Sequence, residues 1–167
     1  MTRVFWGMVA LTAAWFVGIA VWSALAIGAE ANWLPIFDVR ATGYSPEAAR
    51  DFLSVLSEQG RARYLGPMRA LDTVFPALLA VTLVLGVWRF FGRSVAIAFS
   101  VVAVLAAILD YRENAAIADM LRLEPEAVTN EIVRTASALT MSKWACYLVA
   151  LTGFAVGLIR SLRTKHA

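Results

Sequence analysis

Hydrophobic residues along this chain fall into four long blocks separated by polar stretches. The first block runs from Val4 to Gly28, 25 residues without a charge. The second runs from Thr73 to Trp88 with Asp72 at its edge, and the third from Ser94 to Leu109. The fourth runs from Thr135 to Ile159 and is interrupted only by Lys143. A helix needs about 20 apolar residues to cross a hydrocarbon core roughly 30 Å thick. The second and third blocks reach that length once their helices continue through the flanking charges. The pattern predicts an all-α fold, an integral membrane antiparallel four-helix bundle. It forms one domain over residues 1–167, with membrane helices over about 4–28, 67–90, 94–121 and 131–160.

A shorter pattern sits in the first long loop. Ser45 suits an N-cap, Pro46 the first helical position and Glu47 the positive end of the helix dipole. Ala49, Phe52, Leu53 and Leu56 recur at helical spacing, and Gly60 suits the residue after the C-cap. They predict a short amphipathic helix over about 46–59, in the first extracytoplasmic loop. It is either a lid over polar helix ends or a gate or partner surface. Trp33, Leu34, Pro35, Ile36 and Phe37 read as an interfacial segment. Gly66-Pro67 is expected to open the second membrane helix. Only Phe90 to Arg93 remain before the third, which implies a tight hairpin. Glu124-Pro125-Glu126 marks a break, with Thr129 or Asn130 capping the fourth helix.

Composition agrees with a membrane protein: 60% of the 167 residues are hydrophobic, against about 45–50% in soluble domains. Mean hydropathy is +0.70. The net charge of +3 is unevenly placed. Arg3, Arg89, Arg93, Arg160, Arg163 and Lys165 lie in segments on one side with no acid among them. The other nine basic residues share the opposite side and the interior with all 12 acidic ones. Positive-inside then puts both termini in the cytoplasm. The basic pI reflects topology, and without a basic patch interleaved with aromatics no nucleic-acid binding is expected. The first block is longer than the 7–15 residues typical of a signal-peptide core, so it reads as an uncleaved anchor. Cys146 is the one cysteine and His166 the one histidine. That excludes an intrachain disulfide, a His-based metal site and a haem-ligating His pair. No Ser/His or Cys/His pair and no phosphate loop is present, and no metal or cofactor is expected.

Candidate chemistry lies in charges within the blocks. Asp72 stands 17 residues before Arg89, Asp110 stands 17 after Arg93, and Lys143 stands 17 before Arg160. At 1.5 Å per residue, all three sit about 25 Å from one membrane surface, in a common layer. Asp110, Glu113 and Asn114 share a face of the third helix. Asp72 shares one with Arg69, and Lys143 one with Thr140 and Tyr147. The layer is predicted to gather Asp72, Asp110, Glu113, Asn114, Lys143, Arg69 and Tyr147. Its role is either a structural plug of paired charges, a site for a polar small molecule or lipid headgroup, or proton handling and catalysis. Pro76 withdraws the amide that would bond the Asp72 carbonyl, which predicts a bend there. Gly153 and Gly157 form a GxxxG pair read as an internal contact. The tryptophans read as packing, and Arg61, Arg63 and Tyr64 as a solvated helix face.

Several of these residues recur as a pattern: Gly60-Arg61 with Tyr64, Asp72-Thr73-Val74-Phe75-Pro76, Asp110-Tyr111-Arg112-Glu113-Asn114, and Lys143-Trp144. This DxxFP, DYxEN and KW series resembles an uncharacterised family of small bacterial four-helix membrane proteins, from about Gly43 to Trp144. The resemblance implies the same topology and a bacterial inner membrane, and transfers no activity. A fainter likeness, in size and helix count, is to the EXPERA-type sterol-binding and isomerase proteins. The reading that results is a non-enzymatic scaffold or accessory subunit, with membrane lipids and other membrane subunits as partners. The alternative is a lipid- or small-molecule-binding protein, catalytic in the EXPERA manner, that uses the carboxylates.

Overall fold

The computed structural model describes residues 2–163. Lys165 and His166 lie outside the described residues. Among the described residues the chain is helical, without strands. Helix α1 spans Thr2–Ala26 and α2 spans Pro46–Val55. Helix α3 spans Glu58–Arg63 and passes through a π-helical turn, Tyr64–Met68, into α4, Arg69–Phe90. Helices α5 and α6 span Arg93–Leu121 and Asn130–Arg163. Four stretches are long and apolar enough to cross a membrane: Arg3–Glu30, Glu58–Phe90, Arg93–Leu121 and Asn130–Arg163.

Local chemistry explains most boundaries. Ser45 caps α2, its hydroxyl accepting from the Ala48 amide at 3.2 Å. Helix α6 starts after Thr129, whose hydroxyl accepts from Ile132 N–H at 3.3 Å. Two boundaries differ from expectation. The loop helix stops at Val55 rather than near residue 59, because Ser57 caps a new helix by accepting from the Gly60 amide at 3.0 Å. Gly60 therefore lies inside a helix and does not end one. A Cβ there would stand 2.7 Å from Glu30 Cβ and from Leu56 Cδ1, so close approach is what calls for glycine. Gly66-Pro67 likewise opens nothing. The membrane helix begins at Glu58 and widens into the π-helical turn around Pro67, which has no amide to donate.

Pro76 lies inside an unbroken α4, and the carbonyls on either side of Asp72 take side-chain donors from both flanking helices. Trp15 on α1 donates its indole N–H to the Leu71 carbonyl at 3.1 Å. Tyr111 on α5 donates its hydroxyl to the Thr73 carbonyl at 2.9 Å. Helix α5 packs mainly against α6 and α4, whereas α1 packs against α4 and the 3₁₀ turn Gly28–Glu30. The main core lies at the loop end. It combines Ile27, Phe37, Phe52, Leu53, Tyr64, Met120 and Leu121 from the loop, α2, the π-helical turn and α5. A second, thin core of Leu83, Ala103 and Ala150 lies further along the long helices.

Candidate functional site

The predicted layer assembles. Lys143 on α6 lies between two carboxylates of α5, 3.4 Å from Asp110 Oδ1 and in an ion pair with Glu113 Oε2. Tyr147, one turn further along α6, donates its hydroxyl to Asp110 Oδ2 at 2.8 Å. Thr140, one turn back, donates to Glu113 Oε1 at 2.5 Å. Spacing three and four residues apart puts these three α6 groups on one face. Asp72 on α4 accepts from Asn114 Nδ2 of α5 at 2.5 Å. Asp72, Asp110, Glu113 and Lys143 are all buried, and Glu113 is fully so.

Arg69 does not join them. It is half-buried and forms no ion pair or side-chain hydrogen bond among the described residues. Sharing a face with Asp72 was not enough, because the neighbour that face meets is Asn114 of α5.

A further carboxylate enters from the loop. Asp38, in the 3₁₀ turn Phe37–Val39, is buried and hydrogen-bonded by the Tyr64 hydroxyl. The same hydroxyl accepts from the Phe37 amide at 3.1 Å. The Asp38 carbonyl accepts from the Trp144 indole at 2.9 Å, next to Lys143. Tyr44 ties the loop to α6, its amide donating to Ser137 Oγ at 2.9 Å. Burial pushes the Tyr44 phenol above its usual 10.0. Arg40 stacks over the rings of Phe37, Phe52 and Tyr44 at 5.2, 5.4 and 5.7 Å, and burial lowers its pKa.

Arg61, Arg63 and Tyr64 are not a solvated face. Tyr64 is buried at 2% exposure. Arg61 donates to the Leu121 and Leu123 carbonyls at the end of α5, and Arg63 to the Ala26 carbonyl and Glu30 at the end of α1. Both cations cover helix C-terminal carbonyls, which leave four acceptors without intrahelical partners.

The chemistry is that of four buried carboxyl groups and one buried ammonium. Each carboxyl group has a neutral donor from a different segment: Tyr64 for Asp38, Asn114 for Asp72, Tyr147 for Asp110 and Thr140 for Glu113. Lys143 adds charge to the last two. No group of three or more His, Cys, Asp or Glu side chains among the described residues has the arrangement of a metal site. Two apolar surface grooves lie away from the layer. One runs along α1 and the other, of about 340 Å³, is bounded by Phe91, Phe99 and Leu148. No family model, curated protein or solved structure matches this chain.

Proposed function

We propose that this chain is a non-enzymatic membrane scaffold or accessory subunit whose charge layer locks its helices in register. In this reading it is an antiparallel four-helix bundle in the bacterial inner membrane, with both termini cytoplasmic and α2 in the first extracytoplasmic loop. The one-sided placement of Arg3, Arg89, Arg93, Arg160 and Arg163 supports the orientation. The DxxFP, DYxEN and KW resemblance supports the compartment. Its partners are membrane lipids and another membrane subunit.

The observation that carries the reading is that every carboxyl group of the layer is already matched to a donor on another segment. Buried carboxyl groups paired across segments in this way favour one arrangement of the surrounding elements. A lipid- or small-molecule-binding site at the carboxylates would need a cavity there, and neither groove described above reaches them.

A double-mutant cycle on purified protein in micelles tests the lock. Lys143→Met strands the Asp110 and Glu113 carboxylates and should destabilise the fold by about 3–5 kcal/mol. Adding Asp110→Asn and Glu113→Gln should recover most of that loss. Coupling within about 0.5 kcal/mol of additivity would remove the lock. Native mass spectrometry of the same preparation tests the subunit role. A stoichiometric second protein supports it, and a small molecule lost with Asp110→Asn supports the alternative.

A further inference from the structure

A shallow groove of about 1020 Å³ runs along one side of α1, and no residue of the charge layer lines it. Its floor is small and apolar: Ala13, Ala14, Val17 and Gly18 among others. Its loop-side end is closed by a single charged group, Arg63. From Ala13 to Ala26 the groove covers about 20 Å of helix at 1.5 Å per residue. That is the depth of one leaflet, half of a bilayer about 40–45 Å thick including its headgroups. No residue nearer the start of α1 than Ala13 lines it. A partner transmembrane helix would follow α1 over its whole length, so the length of the groove fits a lipid better.

The charge agrees with that length. Arg63 directs Nη1 to the Ala26 carbonyl at 2.8 Å and to Glu30 at 3.2 Å. A guanidinium carries five N–H donors, and its planar fork matches phosphate oxygens. The Nε and Nη2 groups make no hydrogen bond to protein among the described residues, and the side chain is one-third exposed. A cation with spare donors thus stands at headgroup level above an apolar trough one leaflet deep.

We propose that this groove seats one acyl chain of an anionic membrane phospholipid whose phosphate is held by Arg63. The site depends on the chain residing in a membrane and is independent of the charge layer. The small side chains at Ala13, Ala14 and Gly18 make the room, and the guanidinium selects the headgroup.

Native mass spectrometry of the full chain, released from micelles doped with phosphatidylglycerol or with phosphatidylcholine, tests it. The wild type should retain one phosphatidylglycerol in preference to phosphatidylcholine. Gly18→Leu adds bulk in the trough, where nothing lies within 4 Å of an added Cβ. It should lower retention about tenfold. Gly7→Leu, equally unobstructed on the same helix but outside the groove, should leave retention unchanged. Arg63→Gln should abolish the preference between the two lipids. Retention unaffected by Gly18→Leu overturns the proposal. So does a wild type that carries no lipid, a preference that survives Arg63→Gln, or a second protein chain lost with Gly18→Leu.

Discussion

The two ends of the long helices are held together by different physics. At the loop end, large side chains such as Phe37, Phe52, Ile27, Met120 and Leu121 are buried with almost no exposure, around a hydrogen-bonded polar layer. At the opposite end the buried positions are smaller and fewer, Leu83, Val87, Ala96, Ala103 and Ala150 among them. Phenylalanine rings there pack on glycines and on one another. The contrast follows from the solvent each end faces. Excluding water from large apolar side chains stabilises the loop end. Lipid tails are as apolar as leucine, so inside the bilayer helices gain from close approach and from interhelical hydrogen bonds. The loop end therefore resembles the core of a soluble domain set on a membrane bundle.

The sharpest way to break the comparison is to remove a polar contact at the loop end without changing shape. Tyr64→Phe takes the hydroxyl from the Asp38 carboxylate and from the Phe37 amide together. Two buried polar groups lose their partner at once, which should destabilise by about 3 kcal/mol. Asp38→Asn combined with Tyr64→Phe should cost less than Tyr64→Phe alone, because the stranded charge is gone. Denaturant titration in micelles, followed by near-UV circular dichroism, measures both. A Tyr64→Phe variant as stable as wild type would mean that this end is held by its apolar core alone.

At the opposite end the matching change is one of volume. A Cβ at Gly157 would come within 2.7 Å of Phe90 Cβ and of Phe91 Cε2. The first of these cannot swing away, because Cβ is fixed to its backbone. Overpacking of this kind costs about 1–3 kcal/mol, and the better helix propensity of alanine returns about 1 kcal/mol. The fixed Phe90 Cβ puts the overpacking at the upper end of that range, so Gly157→Ala should destabilise by about 2 kcal/mol, read by the same titration. The GxxxG pair serves contacts inside the bundle, with Phe99 facing Gly153 and with Phe90 and Phe91 facing Gly157. Unchanged stability in Gly157→Ala would mean that this end is loose enough to shift.

Much of the layer was legible because a straight helix converts sequence separation into height. The 17-residue spacings brought Asp72, Asp110 and Lys143 to one level, and helical periodicity added Glu113, Asn114 and Tyr147. Height does not give azimuth, so Arg69, on the face of Asp72, stays outside the layer, while Asn114 of α5 reaches the Asp72 carboxylate. Asp38 was out of reach for a different reason. It lies in a loop, where no periodicity relates it to the helices. Its one signal was a lone acid within the apolar run from Leu34 to Val39. Tyr64 departs from the expected solvated face because the π-helical turn alters the helical phase across Gly66-Pro67, where the sequence predicts the start of a regular helix.

The smallest effect sharpens the comparison from within the bilayer half. Thr12 on α1 and Thr82 on α4 are both buried, with their hydroxyl oxygens 2.7 Å apart. Each also lies near a carbonyl four residues back, Met8 at 2.8 Å for Thr12 and Leu78 at 2.9 Å for Thr82. Two hydroxyls supply two protons for these three contacts, so one contact has no proton of its own. Thr82→Val keeps the shape and leaves Thr12 free to donate to Met8. No buried donor is stranded, unlike in Tyr64→Phe. The loss should be about 0.6 kcal/mol, the usual size of an interhelical hydrogen bond in a membrane protein. Thr12→Val should match it, and the double variant should cost little more than either single one, because the pair shares one bond. A loss above about 2 kcal/mol would make this pair the main attachment of α1, which otherwise packs chiefly against α4.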